Sequence, residues 1–273
     1  MTGRSSIEKD TTLGSTPSGR SSRLIACVIL PSARVRSVPY VKDARTIDAT
    51  EFGTTIAGRY QLLAQVGAGG MGVVYRARDL GSGRLVAIKL VRAGLDAGKA
   101  RERFRRETLA LAALSDPGIV RYHDHGATPE GTTYLAMELI EGEDLATRLA
   151  RGRSLVDETL VLARRVALAL AAAHAAGIIH RDLKPSNIML PAGVLADAKL
   201  LDFGVARLAD ATGLTGIGHA LGTPGYMSPE QARGDDDIDG RTDLYSLGCV
   251  LFECLTGQAP FPGTHAIAVL AKV

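Results

Sequence analysis

From Arg59 onward the residues switch from a period of two to a helical period, and the order of that switch constrains the fold more than any other feature. Tyr60-Gln61-Leu62-Leu63-Ala64-Gln65-Val66 reads as a strand, a glycine cluster follows, and Val73 to Arg78 alternates as a second strand. Gly81-Ser82-Gly83 turns the chain into a third, Leu85 to Leu90. A helix is expected from about Lys99 to Leu114, halted by Ser115-Asp116-Pro117-Gly118, because proline lacks the amide that a helix needs. Further short strands are expected around Ile119-Val120 and over Tyr134 to Met137. Beyond Gly142 the pattern is mainly helical, with an Ala/Leu-rich helix from Asp157 to Ala176 that ends at Gly177. Strands first and helices second predict an α+β fold of two lobes.

Residues 1–55 are rich in Ser, Thr, Gly and Arg without a sustained period, which predicts a flexible leader. The remainder is long enough to bury a core, since 46% of the 273 residues are apolar. A net charge of +3, spread along the chain, gives a nucleic-acid partner no support. Cys27, Cys249 and Cys254 form no CxxC pair and read as core thiols of a reducing compartment. The apolar run Leu24 to Leu30 is too short for a membrane span and lacks a cleavage signal, so a soluble, cytoplasmic chain is expected. Lysine is scarce, seven against twenty-five arginines, which lends weight to Lys89 and Lys184.

Val66-Gly67-Ala68-Gly69-Gly70-Met71-Gly72-Val73-Val74 contains G-x-G-x-x-G, whose missing side chains let backbone amides approach phosphate oxygens. A dinucleotide site would open a helix after the third glycine; here a strand opens, so the loop caps a hairpin. Lys89 ends Val86-Ala87-Ile88-Lys89 on a strand of core residues and wants an anion. In the next helix Phe104, Glu107, Leu111 and Leu114 share one face, and a carboxylate on a buried stripe needs a cation. A Lys89–Glu107 pair is therefore expected. The richest stretch is Ile178-Ile179-His180-Arg181-Asp182-Leu183-Lys184-Pro185-Ser186-Asn187-Ile188-Met189-Leu190, followed by Leu200-Leu201-Asp202-Phe203-Gly204. Apolar flanks fix a polar loop against the core, and the polar set suits a divalent ion with phosphate: oxygen ligands from Asp202 and Asn187, a point charge from Lys184, and Asp182 to receive a proton.

Taken jointly, the glycine loop, V-A-I-K, the helix glutamate, H-R-D-L-K-P-x-N, D-F-G and Ser228-Pro229-Glu230 resemble the protein kinase superfamily, in particular bacterial serine/threonine kinases. The resemblance runs from about Arg59 to Val273. It implies a catalytic domain over 56–273 using ATP and Mg2+, with a β-rich N-lobe at about 59–141 and a C-lobe at about 142–273. It implies that Gly67, Ala68, Gly69 and Gly72 cover the phosphates, that Lys89 holds them, and that Glu107 holds Lys89. Asp182 is then the base or orienter of the acceptor hydroxyl, Lys184 steadies the transferred group, and Asn187 and Asp202 ligate magnesium. Met137 is the gatekeeper, the backbone at Glu138 and Ile140 meets the adenine, Val74 and Ala87 enclose it, and Asp144 meets the ribose. Lys184, with Gly222-Thr223-Pro224, is similar to enzymes that phosphorylate protein Ser and Thr. Arg181 resembles an arginine that receives an activation-loop phosphate, so autophosphorylation at Thr212 or Thr215 is expected. Asp243 resembles a buried aspartate that braces the catalytic loop.

Ser228 stands where the family more often has alanine, and little consequence is expected. The family domain continues through further helices, one of which supplies an arginine to the residue at Glu230. Glu230 is therefore expected to be unpaired, and apolar faces of the last helices exposed. Two rival readings stay open: an ATP-binding pseudokinase or scaffold, and a nicotinamide dehydrogenase, which explains the glycines but not Asp182, Asn187 or Asp202.

Overall fold

In the computed structural model, the residues described are 53–69, 72–91, 106, 108–129, 131–203, 223–235 and 237–261, all within one unit, Ala44–Val273. Strands β1 (Thr55–Ile56), β2 (Tyr60–Gly69), β3 (Gly72–Asp79), β4 (Leu85–Val91), β5 (Tyr122–Ala127) and β6 (Thr133–Glu138) form an antiparallel sheet in the order β1-β2-β3-β4-β6-β5. The meander expected between Tyr60 and Leu90 is present. Sequence patterning placed a strand at Ile119-Val120, where there is only an isolated bridge from Ile119 to Leu200; the ladder begins at Tyr122.

Strand β4 is buried on both faces, and its alternation sorts side chains between two cores. Val86, Ile88 and Leu90 join Tyr60, Leu62, Tyr75 and Ala77 on one face. Ala87 and Val91 join the larger core, which continues through Leu135, Met137, Leu162, Val166, Leu183 and Leu200. Lys89 lies between Ala87 and Val91 on that second face, opposite Leu135 and beside Val74 across the ladders. A charged side chain is thus delivered to the inner face by register alone.

The described part of helix α1 covers 106 and 108–113; the expected start at Lys99 and Glu107 lie outside the described residues. Helices α2 (Leu145–Leu149), α3 (Val156–Ala175), α4 (Pro229–Arg233) and α5 (Arg241–Thr256) follow. In α3, Glu158 reaches back to accept from Leu155 N at 2.9 Å, satisfying an amide that no helical carbonyl can reach. The helix buries Leu162, Val166, Ala169, Leu170 and Ala173 at helical spacing. Helix α5 ends at Gly257 in the left-handed region, φ 79°, where glycine carries no Cβ penalty. Cys249 and Cys254 are free and buried in α5, with burial pushing both thiols up to about 11; Cys27 lies outside the described residues.

The mainly helical reading beyond Gly142 omits a small sheet. Strands β7 (Gly142–Asp144), β8 (Ile188–Pro191) and β9 (Lys199–Leu200) pair in that order, too short for a periodicity of two to register. This sheet holds the polar loop between α3 and β8. Leu160 on α3 and Leu244 and Phe252 on α5 are exposed.

Candidate active site

The glycine stretch forms the end of a hairpin. Gly67 pairs with Val74, Ala68 with Val73 and Gly69 with Gly72, so the ladder runs to the turn itself. Gly70 and Met71 lie outside the described residues. Gly72 has φ 147°, and a Cβ there would come within 2.0 Å of Leu90 O, so close backbone approach to β4 admits only glycine. Gly67 and Val74 share the face that carries Lys89, and Ala87 pairs with Met137 in the next row. The residues read as enclosing the base therefore form one inward surface.

Lys89 is buried, and its Nζ lies 2.8 Å from Asp202 Oδ1. Asp202 adopts φ 53° and Arg181 φ 63°, left-handed conformations that are costly for residues with a Cβ and that collect at functional sites. The loop holding Asp182 is fastened at several points. The Asp243 carboxylate, fully buried, accepts from His180 N and from Arg181 N, each at 2.8 Å. Gln231 Nε2 donates to Arg181 O at 2.8 Å. His180 is buried against Phe203, ring centroids 4.6 Å apart, and its Nε2 lies 2.8 Å from Leu201 O. A carbonyl only accepts, so Nε2 carries the proton. Burial holds the His180 pKa below its ordinary value and keeps the ring neutral.

Within this frame Asp182 is almost completely buried, and its Oδ2 meets Lys184 Nζ at 2.9 Å and Asn187 Nδ2 at 3.2 Å. Asn187 Nδ2 also donates to Asp182 O at 2.8 Å. With the amide nitrogen committed twice, Asn187 Oδ1 is the atom left for a cation. Lys184 Nζ reaches Thr223 Oγ1 at 2.9 Å, tying the loop to the segment before α4. Asn187 and Asp202 supply hard oxygen donors, which fits magnesium, an ion that keeps water and phosphate oxygens for most of its shell. No group of three or more His, Cys, Asp or Glu suited to a metal occurs among the described residues.

Glu138 and Ile140 lie at the end of β6 and just beyond it. The Glu138 side chain turns away to accept from Arg121 N at 2.9 Å and from Lys199 Nζ at 2.5 Å. Asp144 caps α2, accepting from Thr147 N at 2.6 Å. Lys199 is absent from the sequence-based set, although lysine scarcity is a signal that points to it: the lysines among the described residues are Lys89, Lys184 and Lys199, and each is ion-paired here. Gln231 and Thr223 are also missing from that set, because contacts between distant segments leave no local pattern.

Two expectations are corrected. Glu230 is not unpaired: its Oε1 accepts from Thr242 Oγ1 at 2.6 Å, and that hydrogen bond holds its carboxyl below the usual range. Nor is Ser228 without consequence. It is fully buried, caps α4 with its hydroxyl and lies 2.9 Å from Thr242 Oγ1. Both sites use a hydroxyl from α5 that no motif marks. Glu107, Gly204, Thr212 and Thr215 lie outside the described residues.

The protein kinase domain profile matches residues 60–272. The chain belongs to the protein kinase family. Its kinase domain is of the bacterial serine/threonine type: it is 42% identical over 237 residues to the serine/threonine-protein kinase pkn3 of Myxococcus xanthus, covering 84% of this chain and 43% of that one. Over 227 residues it is 42% identical to the serine/threonine-protein kinase PknA of Mycobacterium tuberculosis, covering 81% of this chain and 52% of the other. The chain thus spans about half the length of the curated relatives it matches. Its fold is similar to the crystal structure of the Mycobacterium tuberculosis PknI kinase domain, with a TM-score of 0.65 at 30% identity over 78% of each chain. The two-lobed kinase fold expected from the order of strands and helices is the fold found.

Proposed function

We propose that this chain transfers the γ-phosphoryl group of ATP to Ser and Thr hydroxyls of proteins. The observation that carries the reading is the hydrogen-bonded set Asp182, Lys184 and Asn187, with Asn187 O accepting from Leu201 N at 2.9 Å next to the Asp202 that meets Lys89. Asp182 orients the acceptor hydroxyl and takes its proton as the oxygen attacks phosphorus and the bond to the β-phosphate oxygen breaks. Lys184 places its ammonium beside Asp182, where negative charge on the transferred group is stabilised. Lys89 holds the α and β phosphates, and Glu107 is its proposed second partner. Asn187 Oδ1 and Asp202 would hold magnesium, which supplies charge neutralisation across the phosphates when bound.

The hairpin Gly67 to Gly72 covers the phosphates with backbone amides, Ala68 included. Val74 and Ala87 enclose the adenine, Met137 limits the depth of its pocket, backbone at Glu138 and Ile140 meets its edge, and Asp144 meets the ribose. The leader at 1–55, the domain at 56–273, autophosphorylation at Thr212 or Thr215 and a cytoplasmic location, where ATP is supplied, belong to the same proposal. No helix among the described residues is long and apolar enough to cross a membrane. Among the described residues, nothing in the site favours the scaffold reading.

The test compares the chain with Asp182→Ala, measuring transfer of labelled γ-phosphate to itself and to a generic basic protein with magnesium. The variant is expected to lose on the order of 10²–10³ in rate. Equal transfer by both would refute the assignment. Mass spectrometry after incubation with ATP locates any phosphate at Thr212 or Thr215.

A further inference from the structure

Strand β9 has only two residues, yet it leads directly into Asp202. On one edge it pairs with β8, Ile188 with Leu200 and Met189 with Lys199. The other edge carries an isolated parallel bridge to the segment between α1 and β5. There Leu200 N donates to Gly118 O at 2.8 Å and Val120 N donates to Leu200 O at 3.0 Å. Two hydrogen bonds make a small joint between the chain that leaves α1 and the chain that presents Asp202 to Lys89.

One side chain spans that joint. Arg165 on α3 donates from Nε to Ala198 O at 3.0 Å and from Nη2 to Pro117 O. Each carbonyl precedes the bridge on its own chain, so the guanidinium holds both chains at the point where they come together. Ala198 is buried, and a partner lost from its carbonyl leaves an acceptor that water does not readily reach. A guanidinium suits two acceptors at a fixed separation because its donors form a rigid planar fork, whereas an ammonium is a point. The surroundings bring the segment within reach. Ala169 lies one turn beyond Arg165 on the same face of α3, and a Cβ added at Gly118 would fall 2.7 Å from Ala169 Cβ. Gly118 N donates to Asp116 Oδ1 at 2.7 Å and Ile119 N to Asp116 O at 3.1 Å, a tight turn laid against the helix. Gly118 is not in the left-handed region, so it is the helix and not the backbone that excludes a side chain there.

We propose that Arg165 is a positioning residue for the phosphoryl transfer. It clamps the segment that follows α1 to β9, and through β9 it sets Asp202, with the magnesium that Asp202 would hold, against Lys89. The kinetic part of this rests on the proposed function; the clamp itself does not.

The experiment uses the full 273-residue chain and the variants Arg165→Ala, Arg165→Lys, Gly118→Ala and the double variant Arg165→Ala/Gly118→Ala. Amide hydrogen exchange at Leu200 and Val120 is read beside kcat, KM for the acceptor protein and the magnesium concentration that gives half-maximal rate. Arg165→Ala is expected to speed exchange at those two amides about tenfold while β2, β3 and β4 are unchanged. It should raise the half-maximal magnesium concentration about fivefold and leave KM for the acceptor within about twofold. A chain that is merely less stable has fewer active molecules, which lowers kcat and does not move the magnesium concentration. Arg165→Lys, with one donor centre for two carbonyls, should recover less than half of either effect. Gly118→Ala presses on the same joint from the other side, so it acts in the same direction, and the double variant falls short of the sum. Where Arg165→Ala does not fold, Arg165→Lys and Gly118→Ala carry the same readouts. Unchanged exchange at Leu200 and Val120, full recovery by lysine, or a magnesium concentration that stays fixed while exchange speeds would each overturn the proposal. A wild-type chain that transfers no phosphate would defeat the proposed function, while exchange in the variants still decides whether Arg165 holds the joint.

Discussion

The Thr242 hydroxyl sits at the centre of a buried chain, and Thr242→Val removes it while keeping the branched shape. Thr242 and Ser228 are fully buried, and Thr242 Oγ1 serves Glu230 Oε1 at 2.6 Å and Ser228 Oγ at 2.9 Å. A hydrogen bond to a charged group contributes about 1.5–3 kcal/mol and a neutral one about 0.5–1.5. Glu230 is partly exposed, so water recovers part of the first contribution, and the net cost should be about 2 kcal/mol at neutral pH. Urea unfolding followed by circular dichroism reads this directly. The pH dependence supplies a second constraint. The Glu230 pKa lies below 4.5 in the fold, so the stability it contributes is whole above pH 4.5 and is lost as pH falls through the folded value. The gap between the two proteins should therefore shrink with acidification. A cost under about 0.5 kcal/mol, or one that does not change with pH, would refute the assignment of this carboxylate to Thr242.

Lys89→Met is expected to keep the fold and lose on the order of 10²–10³ in kcat/KM, measured with labelled ATP. An active Lys89→Met would remove Lys89 from the phosphate site. Gly72→Ala should destabilise by more than about 1 kcal/mol, since the added Cβ would lie 2.0 Å from Leu90 O at a left-handed φ; an unchanged urea midpoint would contradict this. Because burial keeps His180 neutral, the unfolded chain binds more protons below 6.5, and stability should fall as pH drops from that value. His180→Asn should flatten this slope between pH 8 and about 5.5, and an equal slope in both proteins would point to another group.

The parts legible in the sequence are those written by local rules. The alternation of Val86 to Leu90 places Lys89 inward, the β-branched run after Gly72 excludes a helix, and the composition of Asp157 to Ala176 defines α3 to within a residue. The loop from His180 to Asn187 was legible as polar residues pinned between apolar runs. What escaped is long-range or very short. Strands β7 and β9 have three and two residues, too few to show a period. Gln231, Thr223 and Lys199 earn their places by contacts with segments far along the chain, and Thr242 looks like an ordinary residue of a helix start. Glu230, expected to be unpaired, meets the hydroxyl of Thr242 from a segment that no local pattern links to it.

The lysines among the described residues, Lys89, Lys184 and Lys199, are each paired with a carboxylate, while the other long cationic side chains there are arginines. A guanidinium stays protonated and unreactive at pH values where an amine begins to act as a nucleophile. Of the chain's seven lysines these three carry defined ion pairs, while Lys9, Lys42, Lys99 and Lys272 lie outside the described residues. Reductive methylation with isotopically labelled formaldehyde would install methyl reporters beside Asp202, Asp182 and Glu138. Among the described residues, where lysine is otherwise absent, these three amines are the natural places to attach a spectroscopic probe.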